Sequence, residues 1–305
     1  MASTTGDPVI ETEGFTKYYG RNRGITDLDL KVPRGTIFGF LGPNGAGKTT
    51  TIRLLLDFIR PTSGSARIFG LNVRRGSLEI KRRLGYLPSE PAFYDNLTAR
   101  TFLEFAGRLS ASNPGHRISA LAERIDLDLD RPLGQLSRGN RQKTAIVNAF
   151  MGDPELIIMD EPTTGLDPLV QWEFRKLVAD TRDAGCTVFF SSHTLSDVEH
   201  LCDQVGIIRD GRLIAIRSIA DLKKEAVQPL EIVFDTPVDP QKFSALPGVM
   251  SVTVAGAHLH LSVVGSLDPV IKAASGYTVI AIKSHEASLE DTFLNMFKAS
   301  DHVDA

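Results

Sequence analysis

Nine consecutive residues, Gly42-Pro43-Asn44-Gly45-Ala46-Gly47-Lys48-Thr49-Thr50, satisfy the spacing G-x-x-x-x-G-K-[ST] of a phosphate-cradling loop. Glycines open backbone conformations closed to other residues, so successive N–H groups can turn inward toward phosphate oxygens. Lys48 adds a point charge for the β- and γ-phosphates. The helix predicted from about Thr49 to Phe58 presents its positive end to the anion, and the Thr49 hydroxyl is placed to ligate Mg²⁺. Far along the chain, Leu156-Ile157-Ile158-Met159-Asp160-Glu161 is an apolar strand that ends in two carboxylates. Asp160 can hold the Mg²⁺ that bridges β- and γ-phosphates, while Glu161 can orient and polarise an attacking water. Together the two segments point to hydrolysis of a nucleoside triphosphate.

These residues need a scaffold that brings strand ends together. Short apolar runs alternate with longer amphipathic stretches from Val9 to about Ala220, the pattern of an α/β domain around a largely parallel sheet. Strands are predicted at Ile37 to Leu41, Arg67 to Phe69, Leu84 to Leu87, Leu156 to Asp160, Thr187 to Ser191 and Val205 to Arg209. In such sheets ligands sit beyond the carboxyl ends of the strands, where the polar residues lie here. A helical insertion is expected over about 91–150, with segments Thr98 to Leu109 and Arg117 to Ile125. After residue 222 the pattern changes. Strands at Leu230 to Phe234, Val249 to Val254, His258 to Val263 and Tyr277 to Ile282, with a helix at Pro269 to Ala274, predict a smaller α+β unit over 223–305. It ends in an amphipathic helix, Ala287 to Phe297. The polar start, Met1 to Pro8, reads as a loose tail without the features of a secretion signal.

Composition narrows the function classes. The 305 residues are 42% hydrophobic and 23% charged, which fits a folded globular protein and not a disordered chain or a coiled coil. A net charge of -3 supplies no global basic field for nucleic acid. Two cysteines, Cys186 and Cys202, stand in no metal-ligand spacing, and no apolar run reaches the length of a membrane-spanning helix.

The order of motifs resembles the nucleotide-binding subunit of an ATP-binding cassette (ABC) transporter. Leu136-Ser137-Arg138-Gly139-Asn140-Arg141-Gln142 lies where the family carries its Leu-Ser-Gly-Gly-Gln signature, although Arg138 replaces a glycine and Asn140 the glutamine. Ser137 can cap a helix running to about Met151. The resemblance implies that Ser137 and Gly139 meet the γ-phosphate held by another subunit. Gly165-Leu166-Asp167 matches the D-loop, and His193 matches the switch histidine. Tyr19 resembles the aromatic residue that stacks on adenine, with Tyr18 as the competing candidate. Ser89 stands where the family has a glutamine that touches Mg²⁺. A water, Glu90 or a simpler metal shell are the alternatives there.

The implied fold is a P-loop NTPase cassette with a helical insertion, over 9–222, followed by the small α+β domain. Ser288-Leu289-Glu290-Asp291-Thr292-Phe293-Leu294 resembles the final helix of many ABC-2-type exporters of drugs, antibiotics, polysaccharides or lipids. What the resemblance implies is an ATPase using ATP and Mg²⁺ at the cytoplasmic face of the membrane. Its implied partners are a second ATP-binding subunit and a separate permease, with no nucleic acid. A soluble ABC ATPase acting on ribosomes or nucleic acid, and a regulatory cassette that binds ATP without turnover, are the alternatives. Glu161 and His193 argue against the latter.

Overall fold

The computed structural model describes residues 7–109, 115–284, 289 and 293. The chain divides into two compact units, Met1–Ile216 and Arg217–Ala305. The expected division at residue 222 thus compares with one six residues earlier, within a strand.

In chain order the first unit comprises β1 (Ile10–Tyr19), β2 (Asn22–Val32), β3 (Ile37–Leu41), α1 (Lys48–Leu55), β4 (Ser63–Ile68), β5 (Leu71–Asn72), α2 (Ser77–Arg82) and β6 (Leu84–Leu87). The insertion follows with α3 (Ala99–Leu109), α4 (Gly115–Arg124) and α5 (Arg138–Phe150). Then come β7 (Leu156–Asp160), α6 (Pro168–Asp183), β8 (Thr187–Ser192), α7 (Leu195–Leu201), β9 (Gln204–Arg209) and β10 (Arg212–Ser218).

Two sheets share this unit. One is antiparallel, in the order β2-β1-β4-β5, and the other runs β10-β9-β3-β8-β7-β6. β3 pairs in parallel with β8 and β9, and β7 in parallel with β6 and β8. Every residue of β3, β7 and β8 is buried, which explains why these strands read as unbroken apolar runs instead of alternating ones. Phe189 stacks on Phe38 with ring centroids 5.9 Å apart and tilts against Phe40 at 5.5 Å. The strand expected at Arg67 to Phe69 proves to be the end of β4, in the antiparallel sheet. Phe69 takes a positive φ of 55° and leaves the strand.

Helix α1 stops at Leu55, three residues short of the expected Phe58. Asp57 adopts φ 58°, and the amides of Phe58 and Ile59 both donate back to the Arg53 carbonyl, a left-handed closing turn. Helices α5 and α6 start on Ser137 and Asp167, whose side chains accept from Asn140 N and Val170 N, and Pro168 occupies the first turn of α6.

The second unit holds α8 (Ile219–Glu225), β11 (Val227–Phe234), α9 (Gln241–Ser244), β12 (Val249–Ala255), β13 (His258–Val264), α10 (Asp268–Ala274) and β14 (Val279–Ser284). Its antiparallel sheet, β12-β13-β11-β14, turns Leu230, Ile232, Leu259 and Leu261 onto a core closed by Phe243 and Val270. The expected helix Ala287 to Phe297 lies outside the described residues except Leu289 and Phe293. Both are buried, and Phe293 N donates to Leu289 O at 2.9 Å.

Candidate functional site

The phosphate loop leaves the carboxyl end of β3, at the middle of the mixed sheet. Its glycines have separate physical reasons. A Cβ on Gly42 would stand 2.3 Å from the Ile208 carbonyl, and Gly47, at φ 108°, would drive one to 2.7 Å from Ile25. Lys48 opens α1 and is only 6% exposed. Its Nζ donates to Gly42 O at 2.7 Å and Pro43 O at 3.2 Å, and lies 3.4 Å from Glu161 Oε1. The lysine is thereby folded back over its own loop.

The two carboxylates at the end of β7 sit differently. Asp160 is 1% exposed, and Ser191 Oγ donates to its Oδ1 at 2.6 Å. Glu161 turns the chain out of the strand at φ 51°, a conformation that costs a non-glycine residue about 1–2 kcal/mol. Ser191 holds that turn as well, because the Glu161 amide donates to its hydroxyl at 3.1 Å and to its carbonyl at 3.2 Å. The Glu161 carboxylate then reaches both Lys48 and, through Oε2, His193 Nδ1 at 2.7 Å. An ionised Glu161 accepts there, so Nδ1 carries the proton and Nε2 is the ring nitrogen left for other partners.

A cavity of about 530 Å³ collects most of the expected residues: Tyr19, Asn44, Gly45, Gly47, Lys48, Thr49, Thr50, Glu161 and His193. Gly42, Pro43, Ala46 and Asp160 are absent from its lining. Tyr19 lines it and Tyr18 does not. The Tyr18 hydroxyl instead meets Thr26 Oγ1 at 3.4 Å. Ser89 and Glu90 both border the cavity. Ser137, Gly139 and Asp167 are absent from this lining, and Ser137 and Asp167 serve here as helix caps. Gly139 packs so closely on the D-loop that a Cβ would lie 3.1 Å from Gly165 O.

Sequence reasoning missed four contributors. Arg23, Gly24 and Thr164 line the cavity, and Ser191 holds the Asp160 carboxylate and the Glu161 backbone. Arg23 and Gly24 carry no motif signal. Ser191 does carry one, since it opens the polar end of a buried apolar strand, where Asp160 closes another. Arg138, noted above only as a departure from the signature, also borders the cavity.

The family model described as "ABC transporter" matches residues 25–164. The bacitracin transport ATP-binding protein BcrA of Bacillus licheniformis is 36% identical over 302 residues, covering 94% of this chain and 97% of its own. The daunorubicin/doxorubicin resistance ATP-binding protein DrrA of Streptomyces peucetius is 37% identical over 219 residues, 70% of this chain and 66% of its own. Among solved structures, one titled as the ATP binding subunit of an ABC transporter superposes with a TM-score of 0.67 at 29% identity, over 70% of this chain and 92% of that one. With its phosphate loop, paired carboxylates and mixed sheet, the chain belongs to the ABC transporter ATP-binding family, an ATPase with the cassette fold.

Proposed function

We propose that this chain powers an ABC-2-type exporter of drugs or antibiotics, as one of two ATP-binding subunits joined to a separate permease. The observation that carries this reading is the span of the likeness to the bacitracin transport protein. It runs through 302 residues and so includes the second unit as well as the cassette.

In this reading Glu161 orients the attacking water and His193 directs its other ring nitrogen to the γ-phosphate. Lys48 exchanges the Gly42 and Pro43 carbonyls for phosphate oxygens, and Tyr19 stacks on adenine. Thr49 and Asp160 would hold Mg²⁺, which when bound neutralises charge on the β- and γ-phosphates. The donors suit that cation: both are oxygens, and no group of three or more His, Cys, Asp or Glu that could hold a metal occurs among the described residues. Magnesium keeps several waters and uses one or two carboxylates.

Ser137, Gly139 and Asp167 then act on the nucleotide of a second copy, which accords with their place outside this copy's cavity. No helix among the described residues is long and apolar enough to cross a membrane. Attachment to the membrane face is assigned to the permease. An open groove lined by Phe58, Leu78, Tyr86, Leu109 and Met151 suits an amphipathic helix of such a partner. Burial and the charge of Asp160 push the Tyr86 phenol up to about 12, so it stays a neutral donor there.

The test is purification from mildly solubilised membranes. A co-eluting multispanning protein together with Mg²⁺-dependent ATP turnover is expected, and ribosomal or DNA-bound proteins in its place would overturn the transport reading. Glu161→Gln should lower turnover about a hundredfold or more while ATP stabilises a dimer. Unchanged turnover removes Glu161 from its role.

A further inference from the structure

The antiparallel sheet of the first unit carries a second cavity, of about 600 Å³, that shares no lining residue with the nucleotide cavity. Arg60, Arg67, Arg74 and Arg75 all line it, and no Asp or Glu does. Arg60 is paired with Asp57 outside the lining. Among the described residues, Arg67, Arg74 and Arg75 form no ion pair. Arg67 stands opposite Glu11 in the β1–β4 register, but the Glu11 carboxylate is held by Lys31 at 3.0 Å.

The backbone keeps these arginines together. Arg67 pairs with Asn72 across the β4–β5 turn, and the Asn72 side-chain oxygen accepts from the amides of Arg74 and Arg75 at 3.1 and 3.3 Å. Val73, between Asn72 and Arg74, donates its amide to Ala66 O and buries its side chain. Arg67, Arg74 and Arg75 are exposed, so solvent screens their mutual repulsion in part, and a multivalent anion relieves what remains. The chain as a whole is acidic, with a net charge of -3, so the cluster runs against its overall balance.

We propose that this cavity binds a ligand bearing two or more phosphate groups. Planar guanidinium forks match phosphate oxygens in pairs, which point-charge lysines do not. A volume of about 600 Å³ lies within the range of small-molecule sites. The one aromatic residue of the lining, Phe15, is fully buried and offers no face for stacking a base. Recognition therefore falls on phosphate, and not on a nucleobase. A free polyphosphorylated metabolite and a lipid with a doubly phosphorylated headgroup present the same chemistry.

The experiment titrates the full chain calorimetrically with inorganic tripolyphosphate. A Lys48→Ala background removes the contribution of the nucleotide loop, so failure of that site and failure of this one are read separately. In that background, combined Arg67→Gln, Arg74→Gln and Arg75→Gln is expected to weaken tripolyphosphate by about tenfold or more. With Lys48 restored, the arginine variant should regain the ATP site of the nucleotide loop, which reports that it is folded. Vesicles of phosphatidylcholine with and without cardiolipin form the second arm. Arginine-dependent co-sedimentation with cardiolipin, without tripolyphosphate binding, identifies the lipid source, whereas arginine-dependent tripolyphosphate binding identifies the free one. If the arginine variant binds both probes as tightly as its parent, or the parent binds neither, the proposal is wrong.

Discussion

Ser191→Ala isolates the residue that ties the Asp160 carboxylate to the Glu161 backbone. Its hydroxyl donates to Asp160 Oδ1 at 2.6 Å and accepts from the Glu161 amide at 3.1 Å, and the Ser191 and Asp160 side chains are fully buried or nearly so. No water can replace the hydroxyl without repacking. A hydrogen bond to a charged group contributes about 1.5–3 kcal/mol. The amide bond adds little, because Glu161 N retains the Ser191 carbonyl at 3.2 Å. The loss is therefore about 2 kcal/mol, or a fall in Tm of about 4–8 °C for a unit of this size. ATP turnover should fall about tenfold with ATP affinity little changed, since the Ser191 hydroxyl bonds Asp160 and the Glu161 amide and neither Lys48 nor a loop amide. Ser192→Ala is the control. Its hydroxyl bonds only the backbone of Thr194, at 2.9 and 3.2 Å, so about 1 kcal/mol or less is at stake and turnover should hold. Scanning calorimetry and a Mg²⁺-dependent ATPase assay check both. Equal effects of the two variants on Tm and turnover would refute the reasoning.

Gly42→Ala places a methyl 2.3 Å from a backbone carbonyl that cannot swing aside, so ATP binding should weaken at least tenfold, as read by nucleotide titration. Burial pushes the Cys186 thiol up to about 12 and the Cys202 thiol well above its ordinary value, so a thiol reagent at pH 8 should label neither until denaturant exposes both. The bidentate Arg83 guanidinium, at 2.6 and 2.8 Å, holds the Glu155 carboxyl below its usual range. A carboxyl lowered in the folded state stabilises above its unfolded value and loses that contribution as pH falls through the folded one. Glu155→Gln should therefore lower stability by about 0.5 kcal/mol near pH 7, given the exposure of the pair, with the gap closing below about pH 4.5 in denaturant titrations.

What could be read from the residues follows a physical division. β3 and β7 are recovered to the residue, because a strand buried on both faces writes its bounds as an apolar run between polar ends, and β6, an edge strand half-buried at Leu84 and Tyr86, is recovered with the same bounds. The long strands β1 and β2 escaped, since they mix exposed and buried residues and carry bulges at Thr12 to Phe15 and Phe15 to Lys17 that break the two-residue period. The site divides in the same way. The phosphate loop, Asp160 and Glu161 lie at strand ends where chemistry interrupts an apolar pattern, so they were legible. Arg23 and Gly24 enter the cavity from β2 only because the antiparallel sheet lies beside the loop, with a Cβ on Gly47 blocked by Gly24 O at 2.9 Å. That neighbour relation is long-range and leaves no local trace.

Arg138 shows how a departure from a motif acquires meaning. As a sequence feature it only weakens the match to the signature. In the fold it lines the cavity that holds Lys48, Glu161 and His193, and a Cβ on Gly165 would meet its side chain at 3.6 Å. A signature glycine would leave that edge without a side chain. Arginine instead adds a cation that can meet phosphate in its own copy, whereas Ser137 and Gly139 lie outside that copy's cavity. The substitution therefore changes the charge at this edge while Ser137 still caps α5 and Gly139 still packs on Gly165.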